Sequence, residues 1–312
     1  MSVGDGERLL REIREAPDDD APRIVYADWL LSSSTDPDDH ARAELIHTQC
    51  GLERVHPADL PARLQRAAAL LKKHKRFWVA PLKLAAINGN WEFRRGFLDA
   101  GKIAARRFVA VAPKLFELAP MLRALTFPEA SNELVALATS PYLARLDDIS
   151  LHEMCECGKC RIELELPVLF RSEHASNLRR LVLSACRIDS ANAGLLFESN
   201  QLANVRVLDL HDNRIAADGL ATLVDRPHTY TRLILAGNPL GDAGARALAG
   251  APELSVEELD LSECAIEQAG ARALAEAPWS DGVIKLVLRG NSIPKGAART
   301  ALRERYGNRL EL

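Results

Sequence analysis

The sequence predicts an α/β solenoid in which a parallel sheet lines the concave side and helices cover the convex side. The first observation is a Leu-x-Leu-x-x-Asn/Cys phrase that occurs five times. The copies begin at Leu181, Leu208, Leu233, Leu259 and Leu286, which are 27, 25, 26 and 27 residues apart. The second observation is helical spacing of apolar residues between copies, as in 218–224, 242–249 and 268–275. Since one copy cannot bury its own apolar face, successive copies must stack on one another.

This period is that of leucine-rich repeats. A full helix in every repeat resembles the ribonuclease-inhibitor type, and the resemblance covers about residues 120–312. Weaker copies begin at Leu122 and Leu146, which makes about seven repeats. The segment 91–98 resembles a capping strand, and a charged helix within 294–312 is predicted to close the other end. Small residues such as Gly270 are expected to let each helix lie close to the sheet.

The first 90 residues read as helices, with two of them predicted over 41–55 and 60–74. We therefore divide the chain into a small all-α domain, 1–90, and a repeat domain, 91–312. Residues 7–53 contain the run Pro17-Asp-Asp-Asp-x-Pro22-Arg-Ile-Val-Tyr-Ala-Asp-Trp29-Leu and the later run Arg42-Ala-Glu-Leu-Ile-x-x-Gln49. These runs resemble the bacterial repeat-companion domain, a module that precedes repeat arrays. The resemblance implies a companion to the repeats and no particular chemistry.

Composition excludes several classes of function. A net charge of -3 lacks the excess of positive charge that is typical of proteins that bind nucleic acid or an anionic membrane. No apolar run approaches the roughly 20 residues that span a bilayer, and the N-terminus lacks an apolar signal core. We expect a cytoplasmic protein whose six cysteines are reduced. No phosphate-binding loop, nucleophile elbow or metalloprotease motif is present, so we expect no enzymatic activity.

The predicted partner-binding site is the concave sheet. Side chains alternate along a strand, so the residues between and beside the leucines face the concave side. The predicted contact residues are Arg180, Val182, Asp209, His211, Arg232, Ile234, Asp260, Val287 and Arg289. Exposed apolar residues flanked by both signs of charge are typical of protein-binding surfaces, and arginine is favoured at binding hot spots. His211 lies two residues after Asp209 in sequence. Two interpretations are open: a pair whose ionisation depends on pH, or an ordinary surface histidine.

A second site is predicted where the repeat spacing is longest. His152, Cys155, Cys157 and Cys160 lie within nine residues and offer imidazole and thiolate ligands, which suit a tetrahedral structural zinc ion. His174 is an alternative fourth ligand. The other interpretation is a reduced, redox-sensitive thiol loop. A metal content that does not change on Cys157→Ser would contradict the zinc site.

Two charged runs in the N-terminal part have simple structural interpretations. Asp18, Asp19 and Asp20 precede a predicted helix, so we interpret them as cap and first-turn charges rather than as a cation site. The run 72–76 is a basic helix end that could contact an acidic surface. The sequence thus predicts a non-enzymatic scaffold for a protein partner. The alternative is a metal- or redox-responsive regulator that uses the loop 152–160.

Overall fold

The computed structural model describes residues 3–128, 130–152, 161–224 and 226–312. The chain divides into two compact units. The first unit comprises 1–103 and 110–124, and the second comprises 104–109 and 125–312. The first unit includes a β-hairpin that the predicted boundaries place in the repeat domain. The domain boundaries 1–90 and 91–312 stay a prediction.

The first unit is built mainly from helices. They are α1 (Val3–Glu15), α2 (Ala21–Ser33), α3 (Pro37–Gln49), α4 (Leu60–Trp78) and α5 (Ala80–Leu84). The predicted helix at 41–55 is wrong at both ends. Asp36 caps the helix earlier, because its side chain accepts a hydrogen bond from the Asp38 N–H, and Pro37 suits the first turn. The helix ends at Gln49, since Cys50 is extended and Gly51 has a φ of 66°.

The segment 91–98 forms a hairpin rather than the single capping strand that we predicted. Strands β1 (Asn90–Arg94) and β2 (Phe97–Lys102) pair antiparallel. Arg95 and Gly96 lie between them with φ values of 50° and 81°. Two consecutive residues with positive φ are typical of the tight turns that match the twist of paired strands.

An apolar core packs helices of the first unit against this hairpin. Its buried members are Ile13, Ala27, Leu30, Ala43, Ile46, Cys50, Phe97 and Met121, with Leu10, Tyr26 and Trp29 packed against them. Arg42 is half-buried beside this core, and its guanidinium lies 4.6 Å from the ring centre of Trp78 and 5.1 Å from that of Phe93. Burial lowers the pKa of Arg42 to about 10, so the side chain remains a cation at neutral pH.

The aspartate run does more than begin α2. Asp19 lies one residue before the cap position, and its Oδ1 accepts a hydrogen bond from the Ala21 N–H at 2.9 Å. Asp20 occupies the cap position, but its carboxylate instead accepts from the Gly51 N–H at 2.7 Å and pairs with Arg95. The cap interpretation therefore holds only in part: Asp20 has the cap position without the cap hydrogen bond, Asp19 makes a cap-like bond from one residue earlier, and Asp18 pairs with Arg123 instead. This run ties α2 to the loop after α3 and to the hairpin turn.

The second unit contains the repeats. Its strands are β3 (Ala124–Pro128), β4 (Asp148–His152), β5 (Arg180–Ser184), β6 (Val207–Asp209), β7 (His228–Ile234), β8 (Leu254–Asp260), β9 (Lys285–Val287) and β10 (Leu310–Glu311). They follow one another in the sheet in sequence order, and β4 to β10 pair parallel. The predicted leucines align across the strands and are buried, with relative exposures of 0–1% from Leu181 to Leu286. Strand β10 was not predicted, although Leu310 and Leu312 repeat the Leu-x-Leu phrase.

Helices occupy the segments between the strands. They are α6 (Ala105–Leu118), which contributes to both units, α7 (Leu134–Ala138), α8 (Ile162–Phe170), α9 (Ser190–Phe197), α10 (Gly241–Ala249), α11 (Gln268–Ala275) and α12 (Ala297–Tyr306). The prediction of a full α-helix in every repeat is wrong for Ala217–Val224, which is 3-10 helical. Gly219 and the β-branched Thr222 both disfavour an α-helix there. A Cβ on Gly270 would lie 2.8 Å from Ala245 Cβ, so this glycine permits close packing on the preceding helix.

The last position of the phrase forms an inward ladder, which we call the asparagine ladder: Cys186, Asn213, Asn238, Cys264 and Asn291. Asn238 shows the pattern. Its Nδ2 donates to Leu210 O at 2.9 Å and Leu235 O at 2.8 Å, and its Oδ1 accepts from the Ile215 N–H at 3.0 Å. Each amide therefore satisfies backbone groups of two adjacent repeats. A small side chain at the Asn/Cys position of the phrase is expected to turn inward and satisfy loop backbone groups, and this expectation is confirmed.

The two ladder cysteines make related but weaker contacts. Cys264 Sγ lies 3.2 Å from Leu235 O, and Cys186 Sγ lies 3.4 Å from Ser184 O. Both side chains are fully buried, and Cys50 in the first unit is also a buried free thiol. Burial raises the pKa of Cys264 and of Cys50 to about 12. These thiols are therefore protonated and structural at neutral pH.

Candidate functional site

The parallel register arranges the predicted contact residues in two rows on the concave sheet. The first row contains Arg180, Val207, Arg232, Glu258 and Lys285, and the second contains Val182, Asp209, Ile234, Asp260 and Val287. His211 and Arg289 lie two residues after the second row, just beyond the ends of β6 and β9. We call these residues the concave rows. The alternation of the strands thus places them between the columns of buried leucines.

The concave rows are less apolar at their surface than we expected. Val182 and Val287 are only 6% and 9% exposed, so the prediction that they form exposed apolar contacts is wrong. Ile234 is half-buried. Neighbouring strands lie about 4.8 Å away on either side, so their side chains cover most of a short β-branched side chain. What reaches solvent is mainly the charged ends of the longer side chains.

These charged ends pair across adjacent strands. Arg180 donates to Asp148 Oδ1 at 3.1 Å, and Arg232 Nε lies 3.5 Å from Glu258 Oε2. Exposed pairs of this kind add little to stability, typically about 0–1 kcal/mol each. Their main effect is to hold the guanidinium groups in place on the sheet.

A third group of paired charges lies at the C-terminal end of the sheet. Lys285 Nζ and Arg289 Nη2 each lie 3.0 Å from a carboxylate oxygen of Glu311. The hydrogen bond from Lys285, helped by the charge of Arg289, holds the pKa of Glu311 below its ordinary value. Sequence reasoning missed Glu311, although its position in the phrase Leu310-Glu-Leu312 places it beside Val287 in the register.

The two aspartates of the second row are both held by the residue two positions later. Asp209 Oδ1 accepts from the His211 N–H at 3.1 Å and lies 2.7 Å from His211 Nδ1. Asp260 Oδ1 accepts from the Ser262 N–H at 2.9 Å and from its hydroxyl at 2.6 Å. The predicted proximity of Asp209 and His211 is therefore present. Because the same arrangement recurs with Asp260 and Ser262, we interpret it as a turn that ends the strand.

Part of the predicted site forms one concavity of about 200 Å³. It contains four of the predicted residues, Arg232, Asp260, Val287 and Arg289, together with Glu258, Leu259, Ser262, Lys285 and Glu311. The other five predicted residues, Arg180, Val182, Asp209, His211 and Ile234, do not line it. The concavity is rich in both signs of charge and has an apolar floor at Leu259 and Val287.

The predicted zinc ligands lie outside the part of the chain that the structure describes. This holds for Cys155, Cys157, Cys160 and the side chain of His152, so the zinc ion and the redox loop both stay predictions. The alternative ligand His174 lies in a 3-10 turn, where its Nε2 is 4.0 Å from Glu173 Oε1. Among the described residues, no three His, Cys, Asp or Glu side chains are grouped as metal ligands. Within the same residues, no helix is long and apolar enough to cross a membrane.

Comparison with known families identifies the repeats. Residues 201–224, 228–249 and 254–275 match the family model described as "Leucine Rich repeat". These segments are leucine-rich repeats. With the parallel sheet and its helices, they make the second unit a leucine-rich-repeat solenoid. No matched segment lies in the first unit, so the resemblance to a repeat-companion domain stays a prediction.

Two solved structures resemble this chain at low similarity. A chain of the yeast Rad7–Elc1 complex is 17% identical with a TM-score of 0.40, and the match covers 85% of this chain and 79% of that one. An internalin (InlF) from Listeria monocytogenes is 13% identical with a TM-score of 0.31, covering 58% of this chain and 59% of that one. No curated protein matches the sequence. Because both TM-scores are below 0.5, we infer neither partner nor activity from these structures.

Proposed function

We propose that this protein is a non-enzymatic scaffold that binds a protein partner through the concave sheet of its leucine-rich repeats. The observation that carries the proposal is the set of exposed, cross-strand charge pairs along the concave rows. Arg180, Arg232 and Arg289 are each held by a carboxylate of a neighbouring strand. Side chains that are already ordered lose less conformational entropy on binding.

The composition of these rows favours a protein surface over a small ligand. The pairs are spread over strands β4 to β10 and are not gathered around one deep cavity. Positive and negative groups alternate, so a complementary partner must present both signs of charge. Arginines with the half-buried Ile234 between them provide the mixed polar and apolar contacts that protein interfaces use.

Reversal of the three arginines is the direct test of this surface. The variant Arg180→Glu, Arg232→Glu and Arg289→Glu is expected to weaken binding of a partner captured by the intact chain at least about a hundredfold, because each change places like charges together. The matched control is Arg246→Glu, Arg272→Glu and Arg303→Glu, which makes the same charge change on exposed positions of helices α10 to α12. Affinities are measured by surface plasmon resonance with the purified partner. Equal loss in the two variants would contradict the proposal.

A further inference from the structure

A groove between helices α3 and α4 of the first unit is separate from the concave sheet. It has a volume of about 1070 Å³. From α4 it is lined by Arg63, Arg66 and Lys73, and from α3 by His40, Glu44 and His47. The proposed function of the repeats does not use this groove.

The lining residues lie along one face of each helix. On α4, Arg63, Arg66, Leu70 and Lys73 are spaced by three, four and three residues, which places them on one stripe. At about 1.5 Å per residue, this stripe is roughly 15 Å long. Ala62 and Ala69 supply exposed apolar surface beside the cations, and Leu70 is buried beneath them. The groove therefore has the length and the alternating chemistry of a helix-binding surface.

Positive charge exceeds negative charge in the groove. Its one lining carboxylate, Glu44, accepts a hydrogen bond from Arg66 Nε. Among the described residues, no carboxylate lies within ion-pair distance of Arg63 or Lys73, and Arg63 contacts only the Cys50 carbonyl, at 3.5 Å. Both side chains are exposed. Two cations in the groove therefore remain available to a partner's carboxylates.

The histidines of the groove are held by groups of their own unit. His47 Nε2 lies 3.0 Å from Asp28 Oδ1, and His40 Nε2 lies 2.7 Å from Ser34 O. His74, at the end of the groove, lies 2.6 Å from Asp38 Oδ1 and stacks on Trp78. These contacts hold the three histidine side chains in place. The two cations that have no carboxylate partner among the described residues, Arg63 and Lys73, therefore both lie on α4.

We infer that this groove binds an acidic amphipathic helix of a partner protein. Carboxylates at helical spacing on that helix would pair with Arg63 and Lys73. Its aliphatic side chains would pack on the exposed Ala62 and Ala69. A stripe of roughly 15 Å accommodates about three turns of such a helix. The first unit would then supply a second contact surface in addition to that of the repeats.

The test uses the full chain and synthetic peptides of about 16 residues, long enough to cover the groove. The probe is a fluorescein-labelled peptide with Glu and Leu at helical spacing. We expect it to bind in a fluorescence anisotropy titration, and to bind more weakly as salt is raised. A scrambled peptide of the same composition, and a peptide with Lys in place of Glu, should both bind at least about tenfold more weakly.

Two double variants on α4 locate the binding. Arg63→Glu with Lys73→Glu is expected to weaken the probe peptide about tenfold or more, because both groove cations become anions. Lys72→Glu with Arg76→Glu makes the same net charge change on exposed residues of the same helix that do not line the groove. This control should change the affinity by less than about twofold, and circular dichroism checks that both variants fold. Equal weakening by the two variants, or equal binding of the scrambled peptide, would overturn the inference.

Discussion

Replacement of Asn238 by leucine is expected to lower the free energy of unfolding of the repeat unit by about 3–5 kcal/mol. The amide makes four hydrogen bonds: it donates to Leu210 O, Leu235 O and Ala236 O and accepts from the Ile215 N–H, and the residue is 1% exposed. Leucine has a similar size but leaves these backbone groups buried without partners, at about 1–3 kcal/mol each. Urea denaturation followed by circular dichroism measures the loss.

Two control variants separate the loss of the amide from a general effect of mutation. Asn238→Cys introduces the residue that the ladder already uses at Cys186 and Cys264, where the thiol contacts backbone carbonyls. This variant should lower the free energy of unfolding about half as much as the leucine variant does, since one hydrogen-bond donor is retained. Asn204→Ala removes an exposed amide that also bonds a backbone carbonyl of the preceding repeat, and should cost less than about 1 kcal/mol. A leucine variant as stable as Asn204→Ala would show that the ladder does not hold the repeats together.

Replacement of Gly96 by alanine is expected to destabilise the first unit by about 2–5 kcal/mol. The φ of Gly96 is 81°, and a Cβ there would lie 2.1 Å from Ile46 Cγ1 and 2.9 Å from Ile46 Cα. The left-handed backbone costs an L-residue about 1–2 kcal/mol. Relief of the overlap costs a further 1–3 kcal/mol or so, because Ile46 is part of the core and cannot move freely. Differential scanning calorimetry of the full chain measures the change.

Gly51→Ala is the matched control for this variant. Gly51 has a φ of 66°, and a Cβ at this position would meet no atom within 4 Å. It therefore carries the backbone penalty without the steric overlap, and should cost about 1–2 kcal/mol. If both alanine variants lose the same stability, the contact of the hairpin turn with Ile46 is not close in solution.

The features predicted well from the sequence are those that each repeat specifies locally. The Leu-x-Leu phrase predicts strands with buried leucines, since alternation follows from strand geometry alone. The Asn/Cys position is predicted to point inward because the turn after each strand leaves backbone groups that need partners. Both hold from Cys186 to Asn291.

The features that were missed depend on neighbours in space. The low exposure of Val182 follows from strands on both sides, and the phrase of a single repeat does not show how far those strands cover it. The partner of Lys285 and Arg289 is Glu311, which lies in a two-residue strand after a helix. The polar segment 32–39 with its one proline predicts a loop, so the early start of α3 was missed: Asp36 and Pro37 are a cap and a first-turn proline.

The most direct test of the concave-sheet proposal is site-specific photo-crosslinking of the intact chain to its captured partner. Ile234, half-buried in the second row, is replaced by the photo-reactive p-benzoylphenylalanine in one preparation. Arg246, exposed on helix α10, is replaced in the other. Binding through the concave sheet predicts a crosslinked complex on denaturing gels for position 234 and little or none for position 246. Crosslinking at position 246 without crosslinking at position 234 would contradict it.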